Sequence, residues 1–276
     1  MTRRFELGST FGVMQGRLSA QTEQGYQAFP WMTWESEFDQ AAERKLEHIE
    51  WVLDSWQVKE NPILSSPGAV NSMVEESGVR VLSVCADFLM DRPLDAADPD
   101  TWVILYRLIE TMQELNAKWL VIPCVDQSSL RGREARARFL AASESIVALV
   151  SGTEIAVTLE TDLGPVDFTE LLADLDSGAF GVNYDIGNSA SLGYKPDEEF
   201  AAYGERVSLV HIKDRVKGGG SISLGQGNAD ISCVIDHLKT LNFSGPVTMQ
   251  AFRDVQGINV LDQQLQWIDD LLRGDE

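Results

Sequence analysis

Ser208-Leu209-Val210-His211-Ile212-Lys213-Asp214 is an apolar run that stops abruptly at a histidine and a charged cluster. A buried parallel strand reads this way when its carboxyl end opens into a site, because polarity is tolerated only where the strand leaves the sheet. Two earlier runs end alike: Ala156-Val157-Thr158-Leu159 in Glu160, and Gly181-Val182-Asn183-Tyr184 in Asp185. A later run, Val247-Thr248-Met249, ends in Gln250. Metal-competent side chains therefore stand at four consecutive strand ends.

Working outward from that stretch, short β-type runs alternate with longer helix-type runs along the whole chain. Strands are expected at Ser9–Met14, His48–Val52, Val79–Ala86, Trp119–Pro123, Ile155–Glu160, Phe180–Asp185, Val207–Lys213 and Val247–Ala251. Between and after them, helical periodicity covers Trp34–Lys45, Gly68–Glu76, Thr101–Asn116, Gly132–Ser151, Asp167–Leu175, Glu198–Tyr203, Ile231–Leu241 and Asn259–Leu272. Gly78 and Gly152 sit where helices should stop, Pro99 and Pro196 where they should open, and Asp167 is read as an N-cap. Alternating βα units imply a parallel sheet. Eight of them in 276 residues predict a single-domain (β/α)8 TIM barrel spanning 1–276. An open doubly wound sheet would want a GxGxxG turn after its first strand, and Gly8, Gly12 and Gly16 lack that spacing.

The bulk numbers narrow the function classes. Acids outnumber bases 43 to 22, a formal charge of −21, which repels phosphate backbones and anionic lipid. Neither nucleic acid nor membrane is an expected partner. The N-terminal MTRRFELGST lacks the apolar core of a signal peptide, and no stretch is long enough to span a bilayer. Cys85, Cys124 and Cys233 show no CxxC spacing and read as free thiols in a reducing compartment. A cytoplasmic protein is expected. Its aromatic residues Trp31, Trp34, Trp51 and Trp56 read as packing more than as a sugar face. A helical face near Trp267 could meet a second copy in a homo-oligomer.

In a parallel barrel every strand's carboxyl end points to one face. Glu160, Asp185, His211 and Gln250 would then converge, offering two carboxylates, one imidazole and one amide oxygen. That set suits one divalent cation, Mn²⁺ first, with Mg²⁺, Co²⁺ or Zn²⁺ as alternatives. Taken singly, a strand-end carboxylate more often caps the next turn, and a lone histidine is more often structural. Around the mouth, Arg17, Lys213, Arg215 and Arg253 could grip a phosphate or hydroxyl, although an arginine pairing with a neighbour, Arg215 with Asp214 or Arg253 with Asp254, is the plainer account. Glu50, ending the second strand, is a further candidate either for a substrate contact or for holding a site residue from behind, and Gly218-Gly219-Gly220 reads as a mobile loop beside the mouth without the features of a P-loop.

Several segments together resemble the xylose isomerase-like TIM barrel superfamily, specifically its sugar phosphate isomerase/epimerase branch. They are Gly12-Val13-Met14-Gln15-Gly16-Arg17-Leu18-Ser19, His48-Ile49-Glu50-Trp51, Val84-Cys85-Ala86-Asp87, Val121-Ile122-Pro123-Cys124-Val125-Asp126, Leu159-Glu160-Thr161-Asp162, Tyr184-Asp185-Ile186-Gly187-Asn188, His211-Ile212-Lys213-Asp214-Arg215 and Leu224-Gly225-Gln226-Gly227-Asn228. The resemblance implies a metal held by strand-end Glu, Asp, His and a final Glu, which carries over to Glu160, Asp185 and His211. Gln250 stands where the final glutamate is usual, and Asn188 where many such epimerases have a histidine.

What the resemblance implies is enediolate chemistry on a sugar or sugar phosphate: a metal polarises the carbonyl and a base takes the adjacent proton. In the resembled epimerases the two metal-bound glutamates serve as the two bases. Here Glu160 can do so, but an amide cannot accept a proton at useful pH, so one-base isomerisation or dehydration stands beside epimerisation. Two alternatives remain: a lyase acting on keto-sugars or cyclitols, and a non-catalytic metal- or sugar-binding barrel. The related endonucleases of abasic DNA draw on many histidines for three metals, whereas this chain has only His48, His211 and His237.

Overall fold

The computed structural model describes residues 10–23, 25–94 and 97–274. The expected start of the first strand at Ser9, and most of the MTRRFELGST segment, lie outside the described residues. The eight barrel strands are β1 (Phe11–Met14), β2 (His48–Val52), β3 (Arg80–Cys85), β4 (Trp119–Cys124), β5 (Ala156–Thr161), β6 (Phe180–Asp185), β7 (Val207–Ile212) and β10 (Val247–Met249). They close in the order β1-β10-β7-β6-β5-β4-β3-β2, with every pairing parallel. The alternation of the sequence therefore folds as a closed (β/α)8 barrel, as expected.

Two further strands, β8 (Asp214–Arg215) and β9 (Ser221–Ile222), form an antiparallel hairpin after β7. The glycine triplet is its turn. Arg215 Nε and Nη2 donate to the Gly219 carbonyl, and the Gly218 amide donates to Ser191. The segment expected as a mobile loop is thus the turn of a hydrogen-bonded hairpin at the mouth.

Most helix boundaries follow the capping signals. Gly78 is left-handed at φ 73° where the helix Pro67–Ser77 stops, and Asp98 caps the helix Pro99–Glu114 through the Asp100 amide. Asp167 is not an N-cap. The helix is Pro165–Ala173 with Gly164 as its cap, because proline at the first position needs no hydrogen bond and already has a helical φ. Asp167 lies instead in the first turn, where its charge complements the helix dipole. Three short helices carry too few turns to show periodicity and were not expected: Pro62–Ser65, Phe88–Asp91 and Ile186–Leu192. The last two begin just past β3 and β6 and help shape the mouth.

The apolar layer lies between the strands and the outer helices; Ile104, Leu108, Met112, Ile146, Leu171, Val234 and Leu265 are buried there. The axis of the barrel is different, for His48, Glu50, Ser83, Thr158, Asn183, His211 and Thr248 are buried polar side chains of the strands. His48 Nε2 meets Thr248 Oγ1 at 3.0 Å, and burial holds its pKa down to about 3, so the ring is neutral. Gly12 makes room for it: a Cβ there would fall on the His48 ring and carbonyl. Trp51 and Trp34 are buried and stack edge-on at 5.6 Å, as packing residues should, while Trp56 is exposed. Trp267 is half-buried and packs over Gly225, a turn of its own chain. No helix among the described residues is long and apolar enough to cross a membrane.

Candidate active site

The parallel barrel brings Glu160 from β5, Asp185 from β6 and His211 from β7 together. Each offers a ligand atom, and these atoms lie within 4.8 Å of one another, all in buried side chains. The register explains the meeting: Asp185 pairs directly with His211 across β6 and β7.

The imidazole is fixed from both sides. His211 Nε2 lies 2.7 Å from Glu50 Oε1, and Ser83 Oγ donates to Glu50 Oε2 at 2.7 Å. Nδ1 lies 3.3 Å from Glu160 Oε2 and 3.0 Å from Asn183 Nδ2. Burial alone would push the imidazole pKa down, but the Glu50 and Glu160 carboxylates overcome it and raise the pKa to about 10. Glu50 thus stands behind the histidine, buried and away from the cavity, which is the supporting one of the two roles expected for it and not the substrate contact.

Glu160 is held on both oxygens. Asn183 Nδ2 donates to Oε2 at 2.9 Å and Asn188 Nδ2 to Oε1 at 2.6 Å. Asn188 also accepts from Arg215 Nη1 at 2.7 Å, so an arginine, an amide and the carboxylate form one chain. Arg215 therefore pairs with Asn188 and not with Asp214, whose carboxylate instead takes the Gly227 and Ala229 amides. Gly227 is required there, since a Cβ would overlap the Asp214 carboxylate.

Asp185 has two roles. Oδ1 caps the short helix Ile186–Leu192 by accepting from the Asn188 amide at 2.8 Å, and Oδ2 faces Lys213 Nζ at 3.2 Å. The capping role a lone strand-end aspartate would have is present, and the second oxygen is still turned to the site. Lys213 Nζ also reaches Gln250 Oε1 at 3.2 Å. The amide of Gln250 is thereby linked to an ammonium beside the trio. Behind the short helix, Glu199 gathers the hydroxyls of Tyr184, Tyr203 and Ser189, which anchors the element that carries Asn188.

Of these groups Glu160, Asn188, Lys213, Arg215 and Gln250 line a cavity of about 700 Å³, together with Asp87, while Asp185 and His211 are buried behind that wall. Arg131 and Asp162 also line it, paired at 3.3 Å. Arg17 does not reach the cavity. It is buried, and its guanidinium is tied to the Ala251 carbonyl and to Gln27. Arg253 touches the cavity; its Nη1 and Nη2 donate to the Tyr26 and Ala20 carbonyls, its buried Nε has no hydrogen-bond partner among the described residues, and it packs against Gly16, not Asp254. These two arginines close loops around the mouth. The residues not singled out for a role were Asn183, Arg131 and Asp87, of which only Asp87 ended an apolar run as Glu160 does.

The trio and the fixed ring suit a divalent cation. Two carboxylate oxygens and one imidazole nitrogen are a donor set for Mg²⁺, Mn²⁺, Co²⁺ or Zn²⁺. A histidine whose far nitrogen is held by a carboxylate is oriented as metal-binding histidines usually are. A second group of donors, Asp197, Cys233 and His237, lies on the outer wall and is partly exposed; His237 pairs with Asp197 and stacks on Phe200 at 4.8 Å.

Residues 38–271 match the family described as xylose isomerase-like TIM barrel. The chain belongs to that family. Among curated proteins it is similar to the 2-epi-5-epi-valiolone 7-phosphate 2-epimerase of an Actinoplanes species, 25% identical over 210 residues, 72% of this chain and 75% of that protein. The solved 3-keto-D-glucoside 4-epimerase of E. coli superposes with a TM-score of 0.70 at 15% identity, covering 94% of this chain and 98% of that one. A xylose isomerase-like TIM barrel protein of Mycobacterium smegmatis, solved in complex with magnesium, has a TM-score of 0.68 at 15% identity over 98% and 99% of the two chains. Relationships this distant in sequence establish the shared fold.

Proposed function

We propose that this chain is a divalent-metal-dependent isomerase or epimerase of a sugar or sugar phosphate, working through an enediolate. The observation that carries the reading is the Glu160–Asp185–His211 trio, its donor atoms within 4.8 Å of one another beside a cavity large enough for a sugar. Membership of a family whose similar members include sugar epimerases supports it. Glu160, Asp185 and His211 would hold the cation, with Mn²⁺ the first choice; the Gln250 amide oxygen is a fourth donor if Lys213 yields it. A bound dication would polarise the substrate carbonyl and stabilise negative charge on its oxygen.

Glu160 is the base. Asn183 and Asn188 fix both its oxygens, so the carboxylate presents a set direction to the carbon next to the carbonyl. The Lys213 ammonium, beside Asp185 and Gln250, offers a positive charge to a substrate oxyanion. Arg215 holds Asn188 and stands at the cavity wall within reach of a phosphate or hydroxyl.

The test is incubation of purified protein with Mn²⁺ and a panel of ketoses and keto-sugar phosphates in D₂O. Exchange of the proton alpha to the carbonyl, lost in Glu160→Gln, is expected. Binding without exchange would mean a non-catalytic barrel, and loss of water a dehydratase. Metal titration of Gln250→Glu is expected to show tighter binding, because a carboxylate replaces an amide; no gain removes position 250 from the ligand set.

A further inference from the structure

We propose that Asp87 is a second acid–base residue of this cavity, exchanging a proton with the substrate carbon from a different side than Glu160. This rests on the isomerase/epimerase reading above and supplies the group that Gln250 cannot be.

Asp87 lies two residues past β3. In the ring of strands β3 is four places from β7 in either direction and two from β5. Asp87 therefore stands across the mouth from His211 and Lys213 and to one side of Glu160, and it lines the same cavity as Glu160, Lys213 and Gln250. It is only 6% exposed. The Cys85 thiol donates to Oδ1 at 3.1 Å, whereas Oδ2 is buried with no hydrogen-bond partner among the described residues. A buried carboxyl oxygen without a partner is costly in a purely structural role. At the wall of a substrate cavity it is an acceptor or donor awaiting a ligand.

Its surroundings keep it exchangeable. Burial raises the carboxyl pKa to about 7, against the hydrogen bond from the Cys85 thiol, and the Glu160 and Glu50 carboxylates push it the same way as burial. The groups around it are Cys85 at the end of β3, Glu50 from β2, Glu160 from β5 and Gln27 from the segment after β1. A carboxyl poised there can give and take a proton near neutral pH.

The step balances with these two residues. The Glu160 carboxylate removes the hydrogen alpha to the carbonyl as a proton, and the C–H electron pair passes into the enediolate. The Asp87 carboxylic acid then gives its proton to the same carbon from the other face, re-forming a C–H bond and leaving a carboxylate. Net, one proton has moved from Asp87 to Glu160, and water in the cavity restores both. The reverse reaction exchanges the roles. The amide at Gln250 has no part in proton transfer.

Wild type, Asp87→Asn, Asp87→Glu and Glu160→Gln are compared on the full-length chain with Mn²⁺ and the same ketose panel in D₂O, each first shown to be folded by its thermal melt. Asp87→Asn is expected to lose net conversion between epimers by roughly 10²–10⁴-fold while still exchanging the alpha proton, because Glu160 remains. Asp87→Glu should regain part of the conversion, and Glu160→Gln should lose exchange and conversion together. Wild-type conversion in Asp87→Asn, or equal loss of conversion and exchange in both Asp87 variants, overturns the assignment. A wild type that neither exchanges nor converts any substrate overturns the isomerase/epimerase reading itself, and this inference with it.

Discussion

Two clusters of buried ionisable side chains stand near the mouth of the same barrel, one at the ends of β5, β6 and β7 and one around the loop after β1, and do different things. On one side Glu160, Asp185 and His211 meet beside the cavity, with Lys213 and Arg215 near them. On the other, Glu37, Arg17 and Arg253 are all buried around the loop that follows β1. Both oxygens of Glu37 accept the Gly16 amide at 3.0 Å, and Ser19 adds a hydroxyl. The two arginines serve backbone carbonyls. The second cluster therefore fastens a loop, whereas in the first the groups bind one another through side chains, of which Glu160, Lys213 and Arg215 line the cavity. What separates site from scaffold is the partner of each charged atom, not burial or charge.

The largest expected effect breaks the first cluster at its base. Glu160→Gln keeps the shape and the two asparagine contacts and should lower alpha-proton exchange by roughly 10²–10⁴-fold, measured by deuterium incorporation, with little change in thermal stability. If exchange persists, Glu160 belongs with Glu37 as scaffold.

The mirror experiment acts on the second cluster. Arg253→Ala leaves a cavity and unpaired carbonyls at Ala20 and Tyr26, and should cost about 2–5 kcal/mol of stability in denaturant titration. The folded fraction should keep its substrate KM. A raised KM with unchanged stability would make Arg253 a substrate contact after all.

A smaller effect sharpens the role of Glu50. Glu50→Gln removes the carboxylate behind His211 and should weaken divalent-metal binding about 10–100-fold by calorimetry, the usual cost of losing such a partner. The smallest effect is on pH dependence. Burial raises the Glu37 pKa from 4.5 to about 7 against the pull of Gly16, Ser19 and the arginines. A raised carboxyl pKa means that the folded state holds a proton the unfolded state has released. Its stabilising contribution is complete below the unfolded value of 4.5 and is lost as pH rises through about 7. Glu37→Gln should therefore flatten the fall in stability over that window by on the order of 1–3 kcal/mol; an unchanged slope would show that Glu37 is ionised throughout.

The barrel was legible in the sequence because its signals are local. Apolar runs of strand length, proline and glycine at helix ends, and a polar residue at each run's end follow from backbone geometry and burial within a few residues. The trio was legible for the same reason: Glu160, Asp185 and His211 are terminal residues of strands, and parallel strands in a closed ring bring their ends to one face. Arg17 was misread, and the two roles open to Glu50 were not told apart, because a residue's distance from a strand end says nothing about which neighbour captures its side chain. Asp87 had the same local signal as Glu160, but nothing nearby in sequence marks an oxygen left without a partner.

By itself, then, the sequence determined the element order, the closed parallel barrel and three of the converging donors, since periodicity and chain direction fix those. Only the tertiary structure decided that Asn188 and Asn183 hold Glu160, that Glu50 stands behind the histidine, that Gln250 is linked to Lys213 and that Arg17 is sealed in the wall. Each of those is a contact between residues on different strands or loops, set by a few ångströms of side-chain placement that no pattern along the chain encodes.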